Sequence, residues 1–145
     1  MRHRMTPDEF ARACADRMWS QDTATQHLDM KLEDVRAGHS SMAMTVTKAM
    51  TNGHGICHGG YIFTLADSAF AFACNTYNQV TVAQHCDITF LAPAHLGDRL
   101  TATASEKSRT GRSGLYDVTV ANQNGTVIAE FRGNSRTTKG TILPE

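Results

Sequence analysis

The sequence predicts an α+β fold in which one curved antiparallel sheet wraps around a long central helix. The first observation is the segment 61–74, which is apolar around nearly its whole helical circumference and therefore needs cover on most sides. The second is a set of strand-like runs, two before this segment and four after it, separated by turn residues. A chain of 145 residues without linkers, repeats or low-complexity segments is expected to form a single domain over 1–145.

The N-terminal helix is predicted from its start signals. In Thr6-Pro7-Asp8-Glu9 the threonine is an N-cap, the proline suits the first helical position and the glutamate completes a capping box. Apolar residues then share one helical face as far as about Ser20. Alternating apolar and polar residues follow at 28–32 and 41–46, on either side of Ala37-Gly38-His39, and predict a hairpin of two strands.

A loop of irregular pattern, 52–60, precedes the central helix, which is predicted to begin near Gly59 and to end near Asn75. Strand-like runs then follow at 80–91, 99–107, 114–121 and 126–136. The last two are separated by Gln123-Asn124-Gly125, a strong hairpin signal. Because an open sheet leaves unpaired edges, the chain is expected to pair with at least one further copy of itself.

Composition and charge exclude several classes of function. Lys plus Arg and Asp plus Glu each number 14, so the formal net charge is zero and nucleic acid is not a predicted partner. The basic residues within 1–5 precede polar residues rather than an apolar signal core, and 61–74 is shorter than the about 20 residues that a membrane span needs. We therefore expect a cytoplasmic protein with no membrane partner, whose four cysteines stay reduced.

The segment 61–74 contains one carboxylate, Asp67, among residues otherwise suited to a protein interior. On a helix this carboxylate shares a face with Phe63, Phe70 and Cys74. An ionised acid is costly to bury unless it has a partner or reaches a pocket, and carboxylates against apolar walls are frequent as catalytic acids, bases and nucleophiles. The alternative is a structural carboxylate that bonds Thr64 or a neighbouring strand.

Gly59 and Gly60 stand at the predicted start of the same helix. Free backbone N–H groups and the positive end of the helix dipole meet there, and glycine lets a ligand approach closely, so the position suits a developing oxyanion. The alternative is a glycine pair required only for tight packing. Asp67 lies about 12 Å further along the helix axis, so the two groups are expected to converge only across a dimer interface.

His54, Cys57 and His58 are close in sequence but match no zinc-binding spacing, so no metal is predicted. Packing is the favoured role for Cys57, with a nucleophile as the alternative, and a hydrogen bond at the helix start is the favoured role for His58. Basic residues also cluster in the last third of the chain. They can meet the phosphates of a nucleotide-bearing substrate or remain ordinary solvated charges: Arg109, Arg112, Arg132, Arg136 and Lys139.

Two motifs, Asn52-Gly53-His54-Gly55-Ile56-Cys57-His58-Gly59-Gly60 and Phe63-Thr64-Leu65-Ala66-Asp67-Ser68-Ala69-Phe70, closely resemble those of the hotdog-fold acyl-CoA thioesterases. Within that family the chain resembles the PaaI type of phenylacetic acid degradation. The resemblance continues through Asp87-Ile88-Thr89-Phe90-Leu91-Ala92-Pro93 and Gly97-Asp98 to Phe131-Arg132-Gly133. It implies a hotdog fold, a homodimer with its sites at the interface, commonly a homotetramer of two dimers, and no metal or redox cofactor.

The resemblance also implies roles for individual residues. The backbone N–H of Gly59 is expected to polarise the thioester carbonyl, Asn52 to hold the carbonyl or the water, and His58 to support the loop. Asp67 of the opposing subunit is expected either to attack the carbonyl or to activate water. Substrate-binding residues are expected to be Gly60, Ser68, Gln84, Arg112 and Arg132, where Gln84 takes the place of a small hydroxyl residue found in some relatives.

The expected function is hydrolysis of an aryl-acetyl-CoA, phenylacetyl-CoA or a ring-hydroxylated derivative, in phenylacetate degradation. Phe63, Phe70 and Phe72 can line an aromatic acyl pocket, although aromatic residues on a buried helix more often belong to the core. Two alternatives stay open. One is a hotdog enoyl-CoA hydratase or dehydratase, which needs His85 near Asp67, and the other is a non-catalytic acyl-CoA-binding module.

Overall fold

The computed structural model describes residues 4–144. The strands in this part of the chain are β1 Lys31–Arg36, β2 His39–Thr45, β3 Thr81–Phe90, β4 Arg99–Thr110, β5 Ser113–Ala121 and β6 Val127–Thr137. They form one six-stranded sheet in the order β1-β2-β4-β5-β6-β3, and every neighbouring pair is antiparallel. The predicted α+β fold, a curved antiparallel sheet with a long helix against it, is confirmed.

The first helix, α1, spans Pro7–Gln21, and its predicted capping box is present. The backbone N–H of Glu9 donates to Thr6 Oγ1 at 3.1 Å, and the N–H of Thr6 donates to Glu9 Oε1 at 3.0 Å. These two bonds satisfy donors that the start of a helix leaves free, so the sequence signal and the observed start agree.

A short helix after α1 corrects the prediction for the first strand. Helix α2 covers Thr23–His27, and the side chain of Asp22 caps it by accepting a backbone hydrogen bond at 3.1 Å. The chain then turns at Asp29, whose φ of 54° lies in the left-handed region. The strand predicted at 28–32 therefore has the wrong start: β1 begins at Lys31, because the C-cap of α2 at Leu28 and the turn at Asp29 take up the residues before it.

The long central helix, α3, spans Gly59–Cys74 and packs chiefly against β2, β4 and β5. Phe70 and Phe72 are almost fully buried, and the ring of Phe70 meets that of Tyr116 edge-on, with 5.6 Å between centroids. Gly133 on β6 makes room for Phe70, since a Cβ at that position would lie 2.8 Å from its ring. The interpretation of Phe70 and Phe72 as core residues is confirmed.

One side of α3, next to the edge strand β3, extends past the edge of the sheet and is not covered by it. Its residues follow one line along the helix and are exposed or half-buried; we call them the open strip: Gly60, Thr64, Asp67, Ser68 and Ala71. Among residues 4–144, β3 pairs with β6 alone, and Val82 and Phe90 on it are 48% and 49% exposed. The sheet of one chain therefore leaves both a helix face and a strand edge uncovered.

Candidate active site

Asp67 lies half-buried in the open strip, and its carboxylate makes no hydrogen bond or ion pair with another of residues 4–144. Thr64, its partner in the structural alternative, instead donates its hydroxyl to the backbone carbonyl of Gly60 at 2.8 Å. The neighbouring strand supplies no donor either. The structural interpretation of Asp67 is therefore not met within one chain.

Two thiols, those of Cys74 and Cys86, lie close enough to Asp67 for its charge to act on them. Burial raises the pKa of the Asp67 carboxyl. Burial, reinforced by the negative charge of Asp67, raises the pKa of Cys74 to about 12 and that of Cys86 to about 11. Both thiols are therefore protonated at neutral pH, and Asp67 is the group here that can act as a base or nucleophile. Cys86 was not predicted to be its neighbour, because only the pairing of β3 with β6 places it there.

The raised pKa of Asp67 predicts a pH dependence of stability. Because the folded-state pKa lies above the unfolded-state value, ionised Asp67 opposes folding at neutral pH, and this cost disappears as the pH falls through the folded-state pKa. Asp67→Asn is therefore expected to be more stable to urea than the wild type at neutral pH, with the difference closing towards about pH 4. Urea denaturation of both proteins across this range measures the effect. A difference that stays constant with pH contradicts it.

Asn52 shapes the loop that leads into α3. Its side-chain Oδ1 accepts hydrogen bonds from the backbone N–H of His54 at 2.9 Å and of Ile56 at 3.2 Å. The oxygen of this amide is therefore committed to the loop. The amide nitrogen, Nδ2, has no acceptor among residues 4–144 and is free to donate to a bound carbonyl or water.

His58 and Cys57 hold the end of the loop in different ways. His58 is the N-cap of α3, but its side chain makes no capping hydrogen bond, so the predicted bond at the helix start is wrong. Its backbone N–H supports the loop instead, donating to the carbonyl of Met50 at 2.8 Å. Cys57 is buried, which confirms its packing role, and burial raises the pKa of its thiol, which disfavours the nucleophile alternative.

The backbone N–H groups of Gly59 and Gly60 donate no hydrogen bond within residues 4–144, as expected for the first turn of a helix. They lie at the positive end of the dipole of α3. Gly59 also packs tightly: a Cβ there would lie 2.7 Å from the ring of Phe90, whereas one at Gly60 would meet nothing within 4 Å. The packing interpretation therefore holds for Gly59 but not for Gly60, and at both positions the free donor remains.

An apolar pocket of about 440 Å³ lies beside the start of α3. Its lining residues are Ile56, Cys57, Gly59, Ile62, Phe90, Leu91, Ala92, Pro93 and Ala94. The sequence pattern did not predict this pocket, because the run 90–94 looks like the end of an ordinary strand before a proline. Only the position of β3 at the sheet edge leaves Phe90 and Leu91 exposed, by 49% and 57%.

Several residues singled out in the sequence lie away from this region. Arg132 is on the face of the sheet opposite to α3, where its guanidinium donates to both carboxylate oxygens of Asp117, at 2.7 and 3.0 Å. His85 lies on the same outer face, 3.7 Å from Asp87. Arg112 is exposed in the turn between β4 and β5.

Gln84 is exposed at a β-bulge, where the register between β3 and β6 shifts. Gly59 and Asp67 are both on α3 but about 12 Å apart along its axis, so one chain does not bring them together. Among residues 4–144, no three His, Cys, Asp or Glu side chains group as metal ligands do. No helix in the same range is long and apolar enough to cross a membrane.

The sequence profile of the thioesterase superfamily matches residues 54–129, more than half of the chain. The chain belongs to the thioesterase superfamily. The acyl-coenzyme A thioesterase PaaI of Escherichia coli (strain K12) is 42% identical to it over 131 residues, which cover 90% of this chain and 94% of that protein. The resemblance of the two motifs to this family is thereby confirmed, and with it the enzyme class, a thioester hydrolase.

Solved structures of relatives share the fold. The structure of the E. coli PaaI protein, from the phenylacetic acid degradation operon, has a TM-score of 0.92 at 40% identity and covers 94% of this chain and 99% of that one. The structure of smu.793 from Streptococcus mutans, bound to acetyl-CoA, has a TM-score of 0.74 at 26% identity and covers 77% and 90%. The predicted hotdog fold is confirmed.

Proposed function

We propose that the chain hydrolyses acyl-CoA thioesters in active sites formed between two copies, with Gly59 of one chain and Asp67 of the other. The observation that carries the proposal is the open strip. It presents the Asp67 carboxylate, which has no partner within residues 4–144. The same helix begins with the free N–H of Gly59, which lies beside the apolar pocket. Thioester hydrolysis needs both an oxyanion donor and a base or nucleophile, and one chain holds them apart.

Two-fold symmetry can bring the two groups together. When two α3 helices run antiparallel and cross at Phe63, midway between Gly59 and Asp67, each Gly59 lies beside the other chain's Asp67. The same arrangement covers the open strip and lets the free edge of β3 pair with its own copy. Each dimer then contains two equivalent sites.

The chemistry follows from the groups at each site. The thioester carbonyl oxygen accepts hydrogen bonds from the Gly59 N–H and from Asn52 Nδ2, which stabilise the negative charge that develops there. In one route Asp67 takes a proton from water as the water oxygen attacks the carbonyl carbon. The C–S bond then breaks, and the proton passes to the CoA thiolate. In the other route an oxygen of the Asp67 carboxylate attacks the carbonyl carbon, the C–S bond breaks and the CoA thiolate leaves. Water then hydrolyses the resulting anhydride to the free acid and regenerates Asp67, and the proton released from water passes to the thiolate.

The proposed substrate is an aryl-acetyl-CoA, phenylacetyl-CoA or a ring-hydroxylated derivative. Support comes from the 42% identity to the E. coli protein, whose operon degrades phenylacetic acid, and from the apolar pocket beside Gly59. The streptococcal structure holds acetyl-CoA, which supports CoA as the acyl carrier. Three exposed or half-buried polar groups are proposed to contact the substrate: the Gly60 N–H, the Ser68 hydroxyl and the Gln84 amide.

The CoA phosphates are proposed to bind at the basic end of the sheet. Arg112, Arg136 and Lys139 are exposed there and make no ion pair within residues 4–144. In the antiparallel dimer this end of one chain extends towards the start of the partner's α3. Arg132 can contribute only after leaving Asp117, so Arg112 is the preferred contact among the predicted residues.

The position of His85 disfavours the hydratase alternative. That reaction needs a histidine near Asp67, but His85 lies across the sheet from α3. We further propose that two dimers form a homotetramer and that the protein acts in the cytoplasm.

Release of free thiol from phenylacetyl-CoA, compared with straight-chain acyl-CoAs, tests the proposed function. We expect release well above the spontaneous rate, with the highest kcat/KM for the aryl-acetyl substrates. Binding of acyl-CoA without any thiol release contradicts hydrolysis and favours the acyl-CoA-binding module.

A further inference from the structure

Phe90 occupies a special position beside the proposed oxyanion site. It is near the end of β3, on the face that packs towards α3, where it pairs with Ala129. Its ring lies directly against Gly59: the position of a Cβ on Gly59 would be 2.7, 3.1 and 3.2 Å from three of its ring atoms. Yet the side chain is 49% exposed, so packing in the core does not account for a phenylalanine there.

The ring is also the one aromatic side chain among the residues that line the pocket in the described part of the chain. The other side chains that line it are aliphatic or small. An acyl group whose carbonyl oxygen reaches the Gly59 N–H must pass the atoms next to Gly59, and these include the Phe90 ring. Aromatic pairs gain stabilisation from stacked or edge-on contacts beyond what burial alone provides.

We infer that Phe90 is the residue that selects an aromatic acyl group, by contacting its ring beside the Gly59 N–H. This inference rests on the proposed function. Gly59 takes part because only glycine leaves room for the tip of the Phe90 ring, its Cζ, against the helix start. The two residues thus form one unit, and a methyl group on Gly59 displaces the selecting ring.

Phe90→Leu tests the inference, because leucine keeps the position apolar and removes the ring. We expect kcat/KM for phenylacetyl-CoA relative to hexanoyl-CoA to fall by about tenfold. Val82→Ala is the matched control, since Val82 is on the same strand, is 48% exposed and does not line the pocket; its ratio is expected to match the wild type. Gly59→Ala should also lower the ratio of kcat/KM for phenylacetyl-CoA to that for hexanoyl-CoA, because its methyl group displaces the Phe90 ring. The double variant Gly59→Ala/Phe90→Leu should therefore have a ratio close to that of Gly59→Ala alone.

A parallel binding measurement separates this inference from the proposed function. The affinities of Asp67→Asn for phenylacetyl-CoA and hexanoyl-CoA are measured by calorimetry, with and without Phe90→Leu. If the wild type releases no thiol but the affinity ratio depends on Phe90, hydrolysis is wrong and the selecting role stands. If both ratios are unchanged by Phe90→Leu in a folded protein, the selecting role is overturned.

Discussion

Asp67→Asn is expected to lower kcat for thioester hydrolysis by about 10²–10⁴-fold, because a positioned base or nucleophile contributes about that much. Asparagine has nearly the same size as aspartate but neither removes a proton from water nor attacks a carbonyl. The carboxylate makes no hydrogen bond within residues 4–144, so its loss breaks no contact inside the chain. Thiol release by the variant, with acyl-CoA affinity measured separately, gives the effect on turnover alone.

Asp87→Asn is the matched control for this change. Asp87 is on β3 but on the outer face of the sheet, 3.7 Å from His85, and its side chain is 67% exposed. Removing this charge should leave hydrolysis close to the wild-type rate. Full activity in Asp67→Asn, or an equal loss in both variants, contradicts a chemical role for Asp67.

Gly59→Pro is expected to give the second largest loss, about 10²–10³-fold in kcat, because proline has no N–H to stabilise the oxyanion. The first position of a helix tolerates proline, and His58 before it has φ −60° and ψ 137°, a conformation that proline accepts in its predecessor. No hydrogen bond within residues 4–144 is lost, since the Gly59 N–H donates none. Thiol release and circular dichroism of the purified variant measure activity and folding.

Steric effects of this change require their own control, because any Cβ at this position approaches Phe90 at 2.7 Å. Gly59→Ala adds that carbon but keeps the N–H, so the loss in Gly59→Pro beyond that in Gly59→Ala reports the missing donor. Gly60→Ala adds a methyl group that meets nothing within 4 Å in its own chain, so each chain should fold normally. If the alanine and proline variants at position 59 are equally impaired, the oxyanion role of this N–H is not supported.

Much of the fold could be predicted because its signals are local. The capping box at Thr6 and the turn residues at 123–125 act within a few residues, and both elements form where the sequence places them. Helix α2 was missed because one residue, Asp22, is both the C-cap of α1 and the N-cap of α2. The sequence therefore shows no separate start signal for a second helix.

The candidate site was predictable only in part, for a related reason. The separation of Gly59 and Asp67 follows from helix geometry alone, so the proposal that a second chain completes the site could be made from the sequence. Which face of the sheet a residue occupies depends on strand register, and this placed Arg132 and His85 on the outer face. The contact between Phe90 and Gly59 joins distant segments and has no signal in either.

Mixing two inactive variants tests the shared active site most directly. Asp67→Asn and Gly59→Pro chains are co-expressed, and light scattering verifies that they assemble to the same oligomeric state as the wild type. A mixed dimer has one site with both defects and one site with a native Gly59 and a native Asp67. Random pairing is therefore predicted to restore about a quarter of the wild-type activity. Activity that stays at the level of the two parent variants, in dimers shown to contain both chains, contradicts a site shared between subunits.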